Sequence, residues 1–183
     1  MWIGRYFKST KLYRKLLNEI RSTLLDEYFE EYWVRNTARS CGENLVASLG
    51  TMVNNKTTIG NNVVLHSTKV IGTGPCNIGN EVHFGGDVKI LTSNHNWRGN
   101  NLPYDDIDIE KEVNIEDYVW IGANVVILPG VTIGKASIVQ AGSVVRNDIP
   151  PCSIAGGNPA IVFMKRDLNK HQEAKLKKDM GVN

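Results

Sequence analysis

Residues 113–148 read VNIEDY VWIGAN VVILPG VTIGKA SIVQAG SVVRND, consecutive phrases of six residues, each with an aliphatic residue in its third place. Ile115, Ile121, Ile127, Ile133, Val139 and Val145 hold that place, and the residue two before each is Val or Ser. A period of six is neither helical nor that of a plain strand. Strand alternation turns the first and third residues inward and the second outward, and leaves the remainder of each phrase for a corner. Three phrases close a triangular coil of about eighteen residues, so each aliphatic column stacks on itself and buries what no single repeat can bury. The spacing predicts a parallel β-solenoid.

The repeat extends upstream through Val53, Ile59, Leu65, Ile71, Ile78, Phe84 and Ile90, with one extra residue between Ile71 and Ile78. Thr57, Val63, Cys76, Val82 and Val88 are the inward partners two places before, and Lys69 does not fit. Gly60, Gly72, Gly79, Gly122 and Gly134 follow the aliphatic residue where the chain leaves the strand, and Asn61-Asn62, Gly79-Asn80 and Ala123-Asn124 put tolerant residues at corners of positive φ. The register breaks after Asn94-His95 and resumes at Val113. The polar segment Asn96–Glu112 is therefore extruded as a loop, and loops of that length in compact domains are usually functional.

The ends have another period. Leu12, Leu16, Leu17, Ile20, Leu24, Leu25 and Tyr28 recur at three and four places within about Thr10–Tyr32, which predicts an amphipathic helix in an N-terminal segment 1–40. The solenoid occupies 41–160, and a polar tail helix over about Asp167–Met180 lies in 161–183, where Lys170, Lys175, Lys177 and Lys178 read as a solvated face. Net charge is +2, which favours no polyanion. No apolar run reaches membrane-spanning length and no signal-peptide core is present. Met1–Lys8 is amphipathic enough to pack on the solenoid or touch a surface. Cys41, Cys76 and Cys152 are odd in number and set among repeat positions, which suits small core residues in a reducing compartment, with the cytoplasm as the default.

The strings IGNEVHFGGDVKILTSNHN and VWIGANVVILPGVTIGKASIVQAGSVVRNDIPPCSIAGGNPA resemble the hexapeptide-repeat acyltransferases with a left-handed β-helix, in particular the sugar O-acetyltransferases such as the galactoside and maltose enzymes. The resemblance covers about Val53–Ala160 and rests on Trp120-Ile121-Gly122, Leu128-Pro129-Gly130 and the terminal Gly157–Ala160. It implies a mainly β, left-handed parallel β-helix assembled as a homotrimer, with acetyl-CoA as donor, no metal, and a hydroxylated acceptor, a sugar or surface glycan.

Acetyl transfer to a hydroxyl needs a base of near-neutral pKa and a donor to hold the developing oxyanion. His66, His83 and His95 all point outward by register, and His171 lies in the solvated tail. His95 stands at the mouth of the extruded loop and matches the family's catalytic histidine, which makes it the general base. His83 lies two phrases earlier on a different face and reads as a surface residue. His66 falls near the family's substrate-contacting asparagine. Asn94, Trp97 and Tyr104, with Asn96, Asn100, Asn101, Asp105 and Asp106, give the loop region hydrogen-bonding groups and a flat apolar face suited to a sugar. The resemblance further implies that Trp120 walls the acceptor and thioester site, that Ala123, Ala141 and Gly142 line the donor groove, and that Arg146 and Asn147 approach the nucleotide. Ile161 stands where the family usually has a basic residue, so donor contact passes to Lys165 and Arg166.

Three alternatives remain open at this level. His66, His83 and His95 could hold zinc as in the γ-type carbonic anhydrases, although their spacings of 17 and 12 do not match that family. The solenoid could be a scaffold without catalysis. The acceptor could be an amino group or another small molecule, as in serine or antibiotic acetyltransferases.

Overall fold

The computed structural model describes residues 26–179, so the expected helix before Asp26 and the Met1–Lys8 segment lie outside the described residues. Helix α1 (Asp26–Thr37) leads into a three-sided prism of short parallel strands. The first face stacks Ser40–Cys41, Thr57–Ile59, Cys76–Ile78, Val113–Ile115 and Thr132–Ile133. The second stacks Val46–Ala47, Val64–Leu65, His83–Phe84, Trp120–Ile121, Ile138–Val139 and Ser153–Gly157, and the third Lys69–Ile71, Lys89–Leu91, Val126–Ile127 and Val144–Val145. The β-solenoid is the architecture that the repeat predicts.

Register explains the core. Ile59, Ile78, Ile115 and Ile133 are ladder partners on successive coils, as are Ile90, Ile127 and Val145. Leu65, Ile90, Ile121, Ile127, Ile133, Val139 and Val145 are wholly buried, each side chain contributing about 1.5–3 kcal/mol. The first coil of the 41–160 solenoid is completed by two phrases ahead of Val53 that the pattern does not disclose, Cys41 pairing with Ile59 and Ala47 with Leu65.

At one coil the sequence register is wrong. Val70, not Ile71, points inward: it pairs with Ile90 and is buried, while Ile71 is 45% exposed. Its inward partner is the buried Thr68, which accounts for the misfit of Lys69. The corner before Val70 is one residue shorter than its neighbours and the next corner, through Gly72–Pro75, is longer, so two opposite irregularities look like one insertion.

The corners separate two roles that the sequence merges. Positive φ recurs at Asn44, Asn62, Glu81, Tyr118, Ala136 and Cys152 between the first and second faces, and at Ser67, Asp87, Asn124 and Gly142 between the second and third. Thus Glu81 rather than Asn80 takes the left-handed place. The stacked ladder overrides residue preference, because each such N–H has a fixed acceptor on the coil before: Asn62 donates to Glu43 O, Glu81 to Asn61 O and Tyr118 to Asn80 O. Gly60 and Gly122 serve close approach instead. A Cβ at Gly60 would lie 2.6 Å from Gly79 O, and one at Gly122 would lie 2.4 Å from Ala141 N. Along the first corner a polar ladder joins the coils, with Asn61 N donating to Asn80 Oδ1 (2.9 Å) and Asn80 N to Asp117 Oδ1 (2.8 Å), and with Lys135 Nζ 3.0 Å from Asp117 Oδ2. Partial burial raises the Asp117 pKa, but the Asn80 N–H and Lys135 more than reverse this, leaving the carboxyl below its ordinary value. Its stabilising contribution is present above the unfolded carboxylate pKa and is lost as pH falls through the lower folded value.

Beyond the last coil the chain reverses. Ala160–Lys165 pairs antiparallel with Ser153–Gly157, a strand the sequence reading did not anticipate, and the tail helix expected over about Asp167–Met180 is helix α2, from Lys170 to Asp179. Of the three free thiols, Cys76 is buried and burial pushes its pKa up to about 12; Cys152 sits at a left-handed corner rather than in the core. Among the described residues no helix is long and apolar enough to cross a membrane. Gly122→Ala should lower the denaturant midpoint by the equivalent of about 1–3 kcal/mol, the usual cost of overpacking, whereas Gly86→Ala, whose Cβ would meet nothing within 4 Å, should be near neutral. Equal midpoints for the two variants would show that the coils are not held at this spacing.

Candidate active site

The extruded loop is built as a ribbon. Ser93–Asn96 pairs antiparallel with Asp105–Glu110, and Lys111 N donates to Thr92 O at its base (2.9 Å). The alternation Asp106-Ile107-Asp108-Ile109-Glu110 is that of a strand, hidden in the sequence by the polarity of the segment. In this register Asp108 stands opposite His95, and His95 Nδ1 lies 3.0 Å from Asp108 Oδ1. Tyr104 stacks on the imidazole, with centroids 3.9 Å apart and planes within 4°. His95 stays half exposed, with Nε2 unoccupied by this pair. Asp108 is the site residue that sequence reasoning missed; the strand alternation could have found it.

Several loop groups expected to meet an acceptor serve the ribbon itself. Asp105 accepts from Asn96 Nδ2 (3.4 Å), Asn100 N (3.3 Å) and Asn101 N (2.8 Å), and Asn94 Oδ1 accepts the His95 N–H (3.1 Å). The Arg98 guanidinium lies 4.7 Å over the Trp97 ring. At the ribbon's base Lys56 Nζ bonds both Glu110 oxygens, at 2.6 and 2.9 Å, and this hydrogen bond holds the Glu110 carboxyl below its ordinary pKa.

Other expected site residues fall on different edges of the prism. The ribbon and Arg146-Asn147 leave the third face toward the first, on the same edge, with the Arg146 coil beyond that of the ribbon. Trp120 is 55% exposed on the second face. Ala123, Ala141 and Gly142 lie at the corner between the second and third faces, with His66 on an earlier coil of that corner. There Gly85 packs on Ala123 and Gly122 on Ala141, so small residues leave the corner's main chain open. The terminal hairpin turns back beside this corner at Asn158-Pro159, which puts Ile161 near it and carries Lys165 and Arg166 to the opposite margin of the second face. Lys165 Nζ reaches Pro151 O and Ser153 Oγ, and Arg166 Nη1 reaches Ala136 O (2.9 Å) and Tyr118 O (3.5 Å). One chain therefore brings His95, Asp108 and Tyr104 together but does not join them to Trp120 or to the open corner. The histidines 66, 83 and 95 lie on the corner, the second face and the ribbon, and among the described residues no group of three or more His, Cys, Asp or Glu side chains is placed to hold a metal.

This arrangement has known counterparts. A family model described as bacterial transferase hexapeptide (six repeats) matches residues 112–147. Over 84% of its length the chain is 31% identical to a hexapeptide-repeat acetyltransferase of Vibrio cholerae, solved with acetyl-coenzyme A, covering 85% of that chain with a TM-score of 0.70. The chain belongs to the hexapeptide-repeat acetyltransferases. Within this family it also superimposes on a maltose O-acetyltransferase of Clostridium difficile, at 30% identity over 85% of this chain and 84% of that one, with a TM-score of 0.62. It is 44% identical to the galactoside O-acetyltransferase of Lactococcus lactis over 96 residues, 50% of this chain and 43% of that protein. The aligned stretch thus spans less than half the length of the curated relatives it matches.

Because the Lys56–Glu110 pair fastens the ribbon to the coil, Lys56→Ala should free the ribbon without unfolding the prism. Trypsin should then cut after Arg98, near the ribbon tip, several-fold faster than in wild type, while the thermal midpoint stays unchanged. Equal cleavage rates would show that the ribbon is held by its own base instead.

Proposed function

We propose that the chain is an acetyl-CoA-dependent O-acetyltransferase that moves the acetyl group to a hydroxyl of a sugar or surface glycan, with His95 as general base. The observation that carries this reading is the His95–Asp108 pair. A carboxylate 3.0 Å from Nδ1 keeps the proton on that nitrogen and leaves Nε2 with its lone pair free to take the acceptor's hydroxyl proton. Asp108 then stabilises the imidazolium formed as the hydroxyl oxygen attacks the thioester carbonyl, and the proton passes on to the departing CoA thiolate. Tyr104 fixes the ring plane by stacking. The names and bound ligands of the relatives support acetyl-CoA as donor and a sugar as acceptor.

The division of the site between prism edges supports a homotrimer. The ribbon edge of one copy, with His95, Arg146 and Asn147, complements the second face and open corner of a neighbour, with Trp120, Ala123, Ala141 and Gly142. In that arrangement the small corner residues let pantetheine reach main-chain amides, Trp120 walls the thioester, and Asn94 and Trp97 of the neighbour's ribbon border the acceptor. The three free thiols suit a reducing, cytoplasmic setting.

His95→Ala should lower kcat by about 10²- to 10⁴-fold, the usual worth of general acid–base catalysis, with acetyl-CoA binding intact. Asp108→Asn should give an intermediate loss at unchanged acetyl-CoA KM. Wild-type turnover of His95→Ala, read by thiol release with maltose or a galactoside, would remove the assignment. Light scattering should give three times the chain mass; a 20.4 kDa species at micromolar concentration would dismantle the shared site. Turnover should persist after exhaustive chelation, and activity that falls with loss of stoichiometric zinc would return the metal alternative.

A further inference from the structure

The second face carries a cleft of about 360 Å3, lined by Glu81, His83, Tyr118, Val119, Trp120 and Arg166, that the reading above leaves without a ligand. Its composition follows from the register. His83 is the ladder partner of Trp120, and both are outward and exposed, so imidazole and indole stand side by side on adjacent coils, about 4.8 Å apart along the prism. Two residues before each, Glu81 and Tyr118 hold equivalent left-handed corners, with φ of 56° and 62°, and so share one rim. Arg166 closes the wall. Its Nη1 is fixed by Ala136 O and Tyr118 O, carbonyls of successive coils, which orients the plane and leaves other N–H groups of the guanidinium for a ligand. At the outer end Lys175 Nζ lies 4.8 Å from the Tyr118 ring centroid and 3.9 Å from Glu81 Oε1.

Chemistry and place narrow the ligand. Glu81 stands between Arg166 and, at the outer end, Lys175 (3.9 Å), and its carboxylate within the lining repels a phosphate. A carboxylate that accepts, a guanidinium that donates and an imidazole that can do either, set around an exposed indole, fit a neutral ring with several hydroxyls and one apolar face. Trp120 borders both this cleft and, through Gly122, the open corner with Ala123 and Ala141. The corner and the cleft lie at opposite ends of the second face, and Lys165-Arg166 belongs to the cleft end.

We propose that this cleft is the acceptor pocket of the acetyl-transfer site, with Glu81, His83 and Arg166 recognising the hydroxyls of a neutral sugar ring laid against Trp120. The proposal rests on the acetyltransferase reading for its reaction, but its binding claim can be read alone. Arg166, expected from sequence to grip the donor, becomes an acceptor residue, and His83, expected to be surface, becomes a specificity residue.

Two variants, Glu81→Gln and His83→Leu, test it: the Glu81 side chain accepts from Asn62 Nδ2 of the coil before (3.1 Å), a bond that the Gln carbonyl oxygen keeps. Initial rates with maltose, glucose and methyl galactoside should show the acceptor KM raised about tenfold or more in each variant, with kcat changed less than about threefold and the acetyl-CoA KM constant, the pattern of lost ground-state binding. An acceptor KM within about twofold of wild type in both variants would overturn the pocket while leaving the acetyltransferase reading intact. So would a rise in the acetyl-CoA KM alone, or a kcat loss of about 10²-fold in His83→Leu with a flattened pH profile, which would make His83 the base. If wild type transfers acetyl to none of these sugars, titration of each sugar against tryptophan fluorescence still decides. Saturable quenching that His83→Leu weakens about tenfold supports the pocket, and the absence of any saturable signal in wild type overturns it.

Discussion

The coil spacing of a parallel ladder is the constraint from which the remaining features of this chain follow. Adjacent coils sit about 4.8 Å apart on all three faces, and the inward pair of each phrase finds its partners only above and below. Ile59, Ile78, Ile115 and Ile133 therefore bury one another across coils rather than within one. A spacing set by hydrogen bonds leaves no slack at the corners. That is why a Cβ at Gly60 or Gly122 would meet main chain of the next coil, and why Glu81, Tyr118 and Ala136 adopt left-handed conformations that their side chains do not favour. Local preference yields because the alternative is a break in every coil that follows.

A prism filled with aliphatic side chains has no interior room for a ligand, so chemistry is confined to its outward residues, corners and extrusions. The ribbon at Ser93–Glu110 is such an extrusion, and it carries its own order: Asp105 gathers the tip, Lys56 ties Glu110 to the body, and the antiparallel register sets Asp108 against His95. His95 and the Asp108 carboxylate are thus cross-strand neighbours on one element. Alignment of Nδ1 depends on a two-strand pairing rather than on the whole solenoid.

Legibility in the sequence followed the strength of the period. Where six residues repeat without interruption, from Val113 to Ile149, inward residues, corners and faces were all readable. At Val70 two compensating irregularities, a short corner and a long one, mimicked a single insertion and moved the assignment by one residue, which in a strand turns a side chain to the other face. His95 drew attention in the sequence because it stands at the register break and resembles the family's histidine. Asp108 was not, because a polar segment was taken as loop and its alternation of Asp and Ile passed unused. The cleft at Glu81 and His83 was beyond reach for another reason: it is made by residues one coil apart, together with Arg166, which returns to this margin only because Ala160–Lys165 reverses as a strand that the repeat pattern does not disclose.

The reversal also bears on how the site is divided. By turning at Asn158-Pro159, the chain places apolar Ile161 beside the open corner and carries its basic pair across the second face, where Arg166 is fixed on the carbonyls of Tyr118 and Ala136. The open corner is left with small residues and main chain, while Arg146 stands at the ribbon's edge and Arg166 at the cleft. No single copy brings these margins together, since the ribbon edge and the second face point away from each other around the prism. In the proposed assembly, a neighbour whose second face met the ribbon edge would bring His95, Trp120 and the open corner together. Because the flat ladder forbids a pocket inside the coil, the proposed transfer chemistry calls for a junction between copies to enclose it.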